Sequence, residues 1–127
     1  MVNLQEEVGR ATSEISVYES KREEVLHRSR ALIKLCSSAI VDVHNGREVD
    51  VQALAEKRDA LLEVIRTDPI LYNNGEQALQ EYCEMSILIT VSKKGRFPSM
   101  EECGAGSGPY LLGLADCVGE FRRMALE

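Results

Sequence analysis

The apolar positions of the first third of the chain, Leu4, Val8, Ala11, Ile15, Tyr18, Val25, Leu32, Cys36, Ile40 and Val43, recur every three or four residues, with interruptions only at Arg22 and Ser29. That spacing marks one face of an α-helix and predicts a single amphipathic helix of about 40 residues. His44-Asn45-Gly46 closes it, because glycine supplies the left-handed residue on which helices commonly end. Three shorter helices cannot cover so long a helix within one compact chain, so part of its apolar stripe is expected to meet another chain.

Asp50 is placed to cap a second helix from Val51 to about Thr67, with Leu54, Leu61, Leu62 and Ile65 inward and Pro69 as its stop. The pattern then predicts a third helix from Asn74 or Gly75 to Lys93 or Lys94, ended by Gly95. Arg96 to Gly108, RFPSMEECGAGSG, reads as a loop, and Pro109 suits the first turn of a fourth helix. On that helix a wheel places Leu111, Leu114, Ala115, Val118 and Phe121 inward. It leaves Asp116 and Glu120 outside with Gly113 and Gly119. The pattern continues helically through Arg122 to Glu127 without a stop signal. No segment reads as a strand, so the fold class is all-α, a helical bundle with one long N-terminal helix in a single domain over residues 1–127.

Composition narrows the class. With 44% hydrophobic and 28% charged residues, the chain has too many apolar side chains for disorder. MVNLQEEVGR carries acids where a secretory signal has basic residues, and the longest apolar run, Met85 to Ser92, is too short to span a bilayer. A cytoplasmic protein with no membrane role is the expectation. Cys36, Cys83, Cys103 and Cys117 form no CxxC pair and lie mostly in helical patterns, where reduced cysteine acts as a small hydrophobe. A net charge of −6 opposes broad attraction to polyanions, so nucleic-acid binding requires a local basic patch or bridging cations.

The acids carry the candidate chemistry. Glu84 is the only charge between Tyr82 and Thr90, in a helix apolar nearly all round, and a buried unpaired carboxylate either takes a proton or finds a cation. Glu81 lies three residues before it on the same face, where like charges repel. Asp116 and Glu120 interrupt YLLGLADCVGE in the same way, flanked by glycines that suggest a close approach. Brought together, the two pairs form a hard-oxygen set suited to Mg²⁺ or Mn²⁺, ions that assist attack on a phosphodiester. Solvated acids, arginine-paired structural carboxylates and protonated acids are the competing readings.

Other features speak less strongly. Lys21, Arg22, His27, Arg28, Arg30 and Lys34 make a basic stretch on the first helix, open either to helical ion pairing or to phosphate contact. Neither His27 nor His44 lies in an HExxH or ExxH context, which argues against zinc and against a ferritin-like di-metal bundle. CGAGSG, Cys103 to Gly108, lacks the strand and Lys-Ser/Thr ending of a phosphate loop and reads as a connector.

LQEYCE (Leu79 to Glu84), GRFPSMEE (Gly95 to Glu102) and YLLGLADCVGEFRR (Tyr110 to Arg123) together resemble the translin family, and in particular its translin-associated factor X (TRAX) branch. REEVLHRSRALIKLCSSAI (Arg22 to Ile40) is similar to that family's long first helix. The resemblance implies a nucleic-acid-binding helical bundle that forms octameric shells. For a TRAX-like subunit it implies Mg²⁺-dependent endoribonuclease activity on single-stranded RNA. Carried onto this sequence, the acidic set is Glu81, Glu84, Asp116 and Glu120. For such an enzyme the expectation is that Glu84 or Glu120 acts as general base and that basic residues of the first helix, Arg22, Arg28 and Arg30, guide RNA. A homo-oligomeric archaeal homolog, short at the C-terminus relative to its family, is the resulting expectation. Single-stranded DNA is a further expected partner. The alternative is a translin-like subunit that binds single-stranded nucleic acid without catalysis.

Overall fold

The computed structural model describes residues 1–126, so Glu127, the last residue of the RRMALE run, lies outside the described residues. Among the described residues the regular structure is helical throughout: α1 Leu4–His44, α2 Val51–Thr67, α3 Tyr72–Lys94, a single turn α4 Met100–Cys103, and α5 Ser107–Leu126. The expected all-α bundle with one long N-terminal helix is what forms.

Local chemistry sets the boundaries. Asn3 Oδ1 accepts the free backbone N–H groups of Gln5 and Glu6 at 3.1 and 3.3 Å, and Glu6 and Glu7 occupy the positive end of the helix dipole. Asp50 Oδ1 caps α2 through Ala53 N–H at 3.1 Å. A 3₁₀ turn at Pro69–Leu71 buries Leu71 and feeds straight into α3, which therefore starts at Tyr72, two residues before the expected Asn74. Gly95, at φ +66°, ends α3 in the left-handed conformation that glycine adopts without a steric penalty.

The third helix is the hub. It makes its broadest contacts with α1 and α5, while α2 covers the other flank of α1. Ser29, one of the two interruptions in the α1 stripe, is buried and donates to the Asn74 carbonyl of α3 at 3.3 Å. The core runs between these helices through Leu32, Leu61, Leu79, Met85 and Ile87. All four cysteines are free and buried, and burial with the nearby Glu81 and Glu84 pushes the Cys36 thiol up to about 12. The N-terminal part of α1 extends past this core, leaving Leu4, Val8 and Ile15 exposed.

Two expectations need correction. The segment after Gly95 is not all loop, since Ser99 Oγ accepts from Glu102 N–H at 3.0 Å and starts α4. It runs back along α3, with Cys103 Sγ 3.7 Å from Ser86 Oγ, so that α5 starts near the beginning of α3 and runs in the same direction. The inward face of α5 is only partly the one expected: Leu114 and Phe121 pack against the core, but Leu111, Ala115 and Val118 do not. Pro109, Gly113 and Cys117 are buried, whereas Leu111, Leu112 and Val118 are exposed. The reason is size: a β-carbon at Gly113 would lie 2.8 Å from Cys83 Cβ and 2.9 Å from both the Gln80 carbonyl oxygen and the Glu84 nitrogen. The bundle uses small residues to bring the α5 and α3 backbones together, and a hydrophobicity wheel ranks those residues last.

Candidate acidic site between the third and fifth helices

That close approach positions the acids. With Gly113 and Cys117 pressed on α3, Asp116 is carried to the edge of the α3–α5 seam, where its Oδ2 accepts Gln80 Nε2 at 2.8 Å. Cys117 Sγ donates to the Glu84 carbonyl at 3.4 Å, tying the same turn of α5 to the turn of α3 that bears Glu81 and Glu84. Both glutamates are half-buried, which corrects the expectation that Glu84 has no side facing water. The glycines also have different roles: α3 itself is what approaches Gly113, while Gly119 faces open space.

The electrostatics show which acids face one another. Burial and then Asp116 raise the Glu81 carboxyl above its ordinary range. Burial, Asp116 and Glu81 raise Glu84, and Arg123 partly offsets that rise. Ionised Asp116 therefore disfavours ionisation of both glutamates, and ionised Glu81 that of Glu84, as nearby like charges do. Neither glutamate forms an ion pair within 4 Å among the described residues, and Asp116 has only a neutral amide.

Glu120 is different. Its side chain is 15% exposed and is held by the Arg123 guanidinium, with His44 Nε2 at 3.4 Å on its other oxygen. The expected set of four thus divides into Glu81, Glu84 and Asp116, which lack a counter-ion, and Glu120, which has one. Among the described residues no three His, Cys, Asp or Glu side chains stand close enough together to enclose a metal ion as they are. The unpaired three supply hard oxygen donors of the type that Mg²⁺ and Mn²⁺ take.

The expected RNA-guiding arginines do not form one patch. Arg22 sits half-buried between Glu19 and Glu23 at 4.0 and 3.8 Å. Arg28 donates from Nε and Nη2 to Glu24 and lies in the groove between α1 and α2 with His27 and Lys57. Arg30 is exposed and on a different side of α1. Sequence reasoning missed three residues at the acidic site. Gln80 and Arg123 lie one turn from Glu84 and Glu120 and were accessible to i±3/i±4 reasoning. The role of His44 follows only from how the end of α1 meets α5.

No helix among the described residues is long and apolar enough to cross a membrane. No family model matches the chain. It is 30% identical over 119 residues to the uncharacterized protein MJ0175 of Methanocaldococcus jannaschii, an alignment covering 86% of this chain and 51% of that protein, so the chain spans about half the length of the curated relative it matches. Its fold is similar to the crystal structure of apo-NeC3PO, a C3PO/translin-family protein, with a TM-score of 0.75 and 29% identity over 97% of this chain and 67% of the other. The fold is translin-like, and this likeness supports a translin-like family for the chain.

Proposed function

We propose that this chain is a TRAX-like subunit that cleaves single-stranded RNA with a divalent ion, and that Glu81, Glu84 and Asp116 would hold Mg²⁺ or Mn²⁺. The observation that carries this reading is the arrangement of three acids from α3 and α5 that lack counter-ions, two of them half-buried, in a translin-like bundle. Removing carboxylates from water costs free energy, and a bundle that retains such acids unpaired keeps a cost that a cation would relieve. When bound, the ion supplies Lewis acidity toward the phosphodiester. Gln80 orients Asp116 from the α3 side. Glu84, raised above the ordinary carboxylate range, is the acid suited to accept the proton of the attacking water, since Glu120 is engaged by Arg123 and His44.

Likeness to a C3PO/translin protein supports nucleic-acid binding and oligomeric assembly. The uncovered stripe of α1, Leu4, Val8 and Ile15, is the surface through which copies would associate into a homo-oligomer, an octamer if the family resemblance holds. Of the arginines on α1, Arg30 is the one left free of an ion pair among the described residues and so available to a phosphate; single-stranded DNA would meet the same groups.

The test is incubation of the protein with end-labelled single-stranded RNA in Mg²⁺ and in chelator. Cleavage is expected only with the ion, and Glu84→Gln and Asp116→Asn are expected to lower its rate by about 100-fold or more while leaving RNA affinity nearly unchanged. Binding that depends steeply on salt, ignores chelator and is never followed by cleavage would instead establish the non-catalytic translin-like reading.

A further inference from the structure

On the flank of α3 toward α2 and α4 lies a cavity of about 380 Å³, bounded by those helices and by the segment around Pro98 and Glu102. Its size is that of a small-molecule site. Three cations line it, Arg58, Lys93 and Lys94, against one acid, Glu102, in a chain whose net charge is −6. Glu102 is held by Arg96 at 3.2 Å and Lys93 by the exposed Glu48 at 3.1 Å, whereas Lys94 forms no ion pair among the described residues. At the inner end, two hydroxyls accept hydrogen bonds but give their protons to no protein acceptor among the described residues. Tyr82 Oη, on a side chain 5% exposed, accepts from Arg58 Nη1 at 3.1 Å, and Ser86 Oγ accepts from Cys103 Sγ at 3.7 Å.

We propose that this cavity binds a nucleoside monophosphate unit, with carbonyl oxygens of the base accepting from Tyr82 and Ser86 and the phosphate held by Lys94 and Lys93. The site is separate from the acids and does not depend on the divalent-ion reading. A hydroxyl that accepts without donating turns a free donor toward a ligand, and a base carbonyl meets it without bringing a charge into the inner end. Uracil, with two carbonyl oxygens, matches the two donors. Between donors and lysines the walls are apolar, Val51 and Ala55 on α2 and Met85 and Ile89 on α3, which suits the two faces of a flat ring. The seven positions from Ser86 to Lys93 span about 10 Å along α3, close to the distance from a base to its phosphate. The Lys93 pair with Glu48 is exposed on both sides, so a phosphate can replace the carboxylate at little cost. Arg58 acts as a positioning residue: its guanidinium lies 5.0 Å from the centre of the Tyr82 ring and holds the hydroxyl in place.

The experiment is calorimetric titration of the full chain with UMP, uridine and inorganic phosphate, in chelator so that no divalent ion contributes. UMP is expected to bind more tightly than either of the others. Lys94→Gln should weaken UMP by about two- to fivefold and leave uridine where it was, while Ser86→Ala should weaken both by about three- to tenfold. Ala55→Leu fills the cavity from a half-buried position and should abolish binding of both without lowering the melting temperature. Glu84→Gln, on the opposite flank, should change none of these affinities. Absence of UMP binding at millimolar concentration, or UMP binding that survives Ala55→Leu, overturns the cavity as the site. Phosphate binding as tightly as UMP overturns the base contact, and unchanged affinities in Ser86→Ala overturn the hydroxyl's role; both results are read independently of Ala55→Leu should that variant melt lower. A uridine decanucleotide added in competition separates the two sources of the ligand: displacement of UMP assigns a nucleotide within a strand, and no displacement assigns a free nucleotide, either result keeping the site.

Discussion

The two flanks of α3 treat charge in opposite ways. On the flank toward α2 and α4, Arg58 is 15% exposed and well engaged: Nη1 donates to Tyr82 Oη at 3.1 Å and to the Cys103 carbonyl at 2.9 Å, Nε donates to Asp59 Oδ1 at 3.0 Å, and Nη2 lies 3.0 Å from the same oxygen as an ion pair. The guanidinium carbon also lies 5.0 Å from the centre of the Tyr82 ring. Nearby, Lys93 pairs with Glu48 and Arg96 with Glu102. On the flank toward α5, Glu81 and Glu84 have no basic partner within ion-pair distance, and Asp116 has only Gln80. A cavity of about 380 Å³ opens on the Arg58 flank, and Arg58, Lys93 and Glu102 of its lining are each paired. Charges that satisfy one another hold helices together. Charges left unsatisfied cost stability, and they mark where a ligand would repay that cost.

The comparison can be broken most severely at the backbone contact that creates the acidic flank. Gly113→Ala places a β-carbon under 3.0 Å from two backbone atoms of α3, so the helices must part. A loss of about 3 kcal/mol is expected by thermal or denaturant unfolding. Removing the central charge of the satisfied flank is the next largest effect. Arg58→Ala leaves the Cys103 carbonyl and Tyr82 hydroxyl without their donor and should cost about 2 kcal/mol.

Gly119 sharpens the contrast from the other direction. It is a helix-interior glycine with open space around it, so Gly119→Ala should stabilise the protein by about 1 kcal/mol. A destabilisation there would mean that some partner, absent from a single chain, approaches that position.

The smallest effect separates the unpaired acids from the paired ones. Glu81 and Glu84 are raised in the folded protein, chiefly by burial, so folding binds their protons more tightly than the unfolded chain does. Their contribution to stability is present at low pH and lost as pH rises through the raised values. Glu84→Gln should therefore stabilise the ion-free protein by about 0.5 kcal/mol near neutral pH. The wild-type melting temperature should rise as pH is lowered from about 7 toward 5, and it should do so less in a Glu81→Gln, Glu84→Gln double variant. Added Mg²⁺ near neutral pH should raise the wild-type melting temperature and leave that of the double variant unmoved.

Much of the architecture was legible along the chain, because its signals are local. The α1 stripe, the Asn45-Gly46 and Gly95 stops and the Asp50 cap each depend on a few neighbouring residues, and α1, α2 and the end of α3 form where those signals stand. The start of α3 was less legible, since Pro69 ends one helix and opens the turn that leads into the next. The four acids were visible as breaks in apolar runs. Their division into three unpaired and one paired was not, because the His44 contact to Glu120 spans 76 positions of sequence, counted from residue 44 to residue 120.

What the sequence determined by itself is the set of helices, their caps and the presence of acids where apolar residues were due, because periodicity and capping act within a few residues. Tertiary structure alone decided which way α5 faces. Its leucines have the greater hydrophobicity, but Gly113 and Cys117 have the smaller volume, and only contact with the α3 backbone makes volume the stronger criterion. That same contact decides which carboxylates face one another.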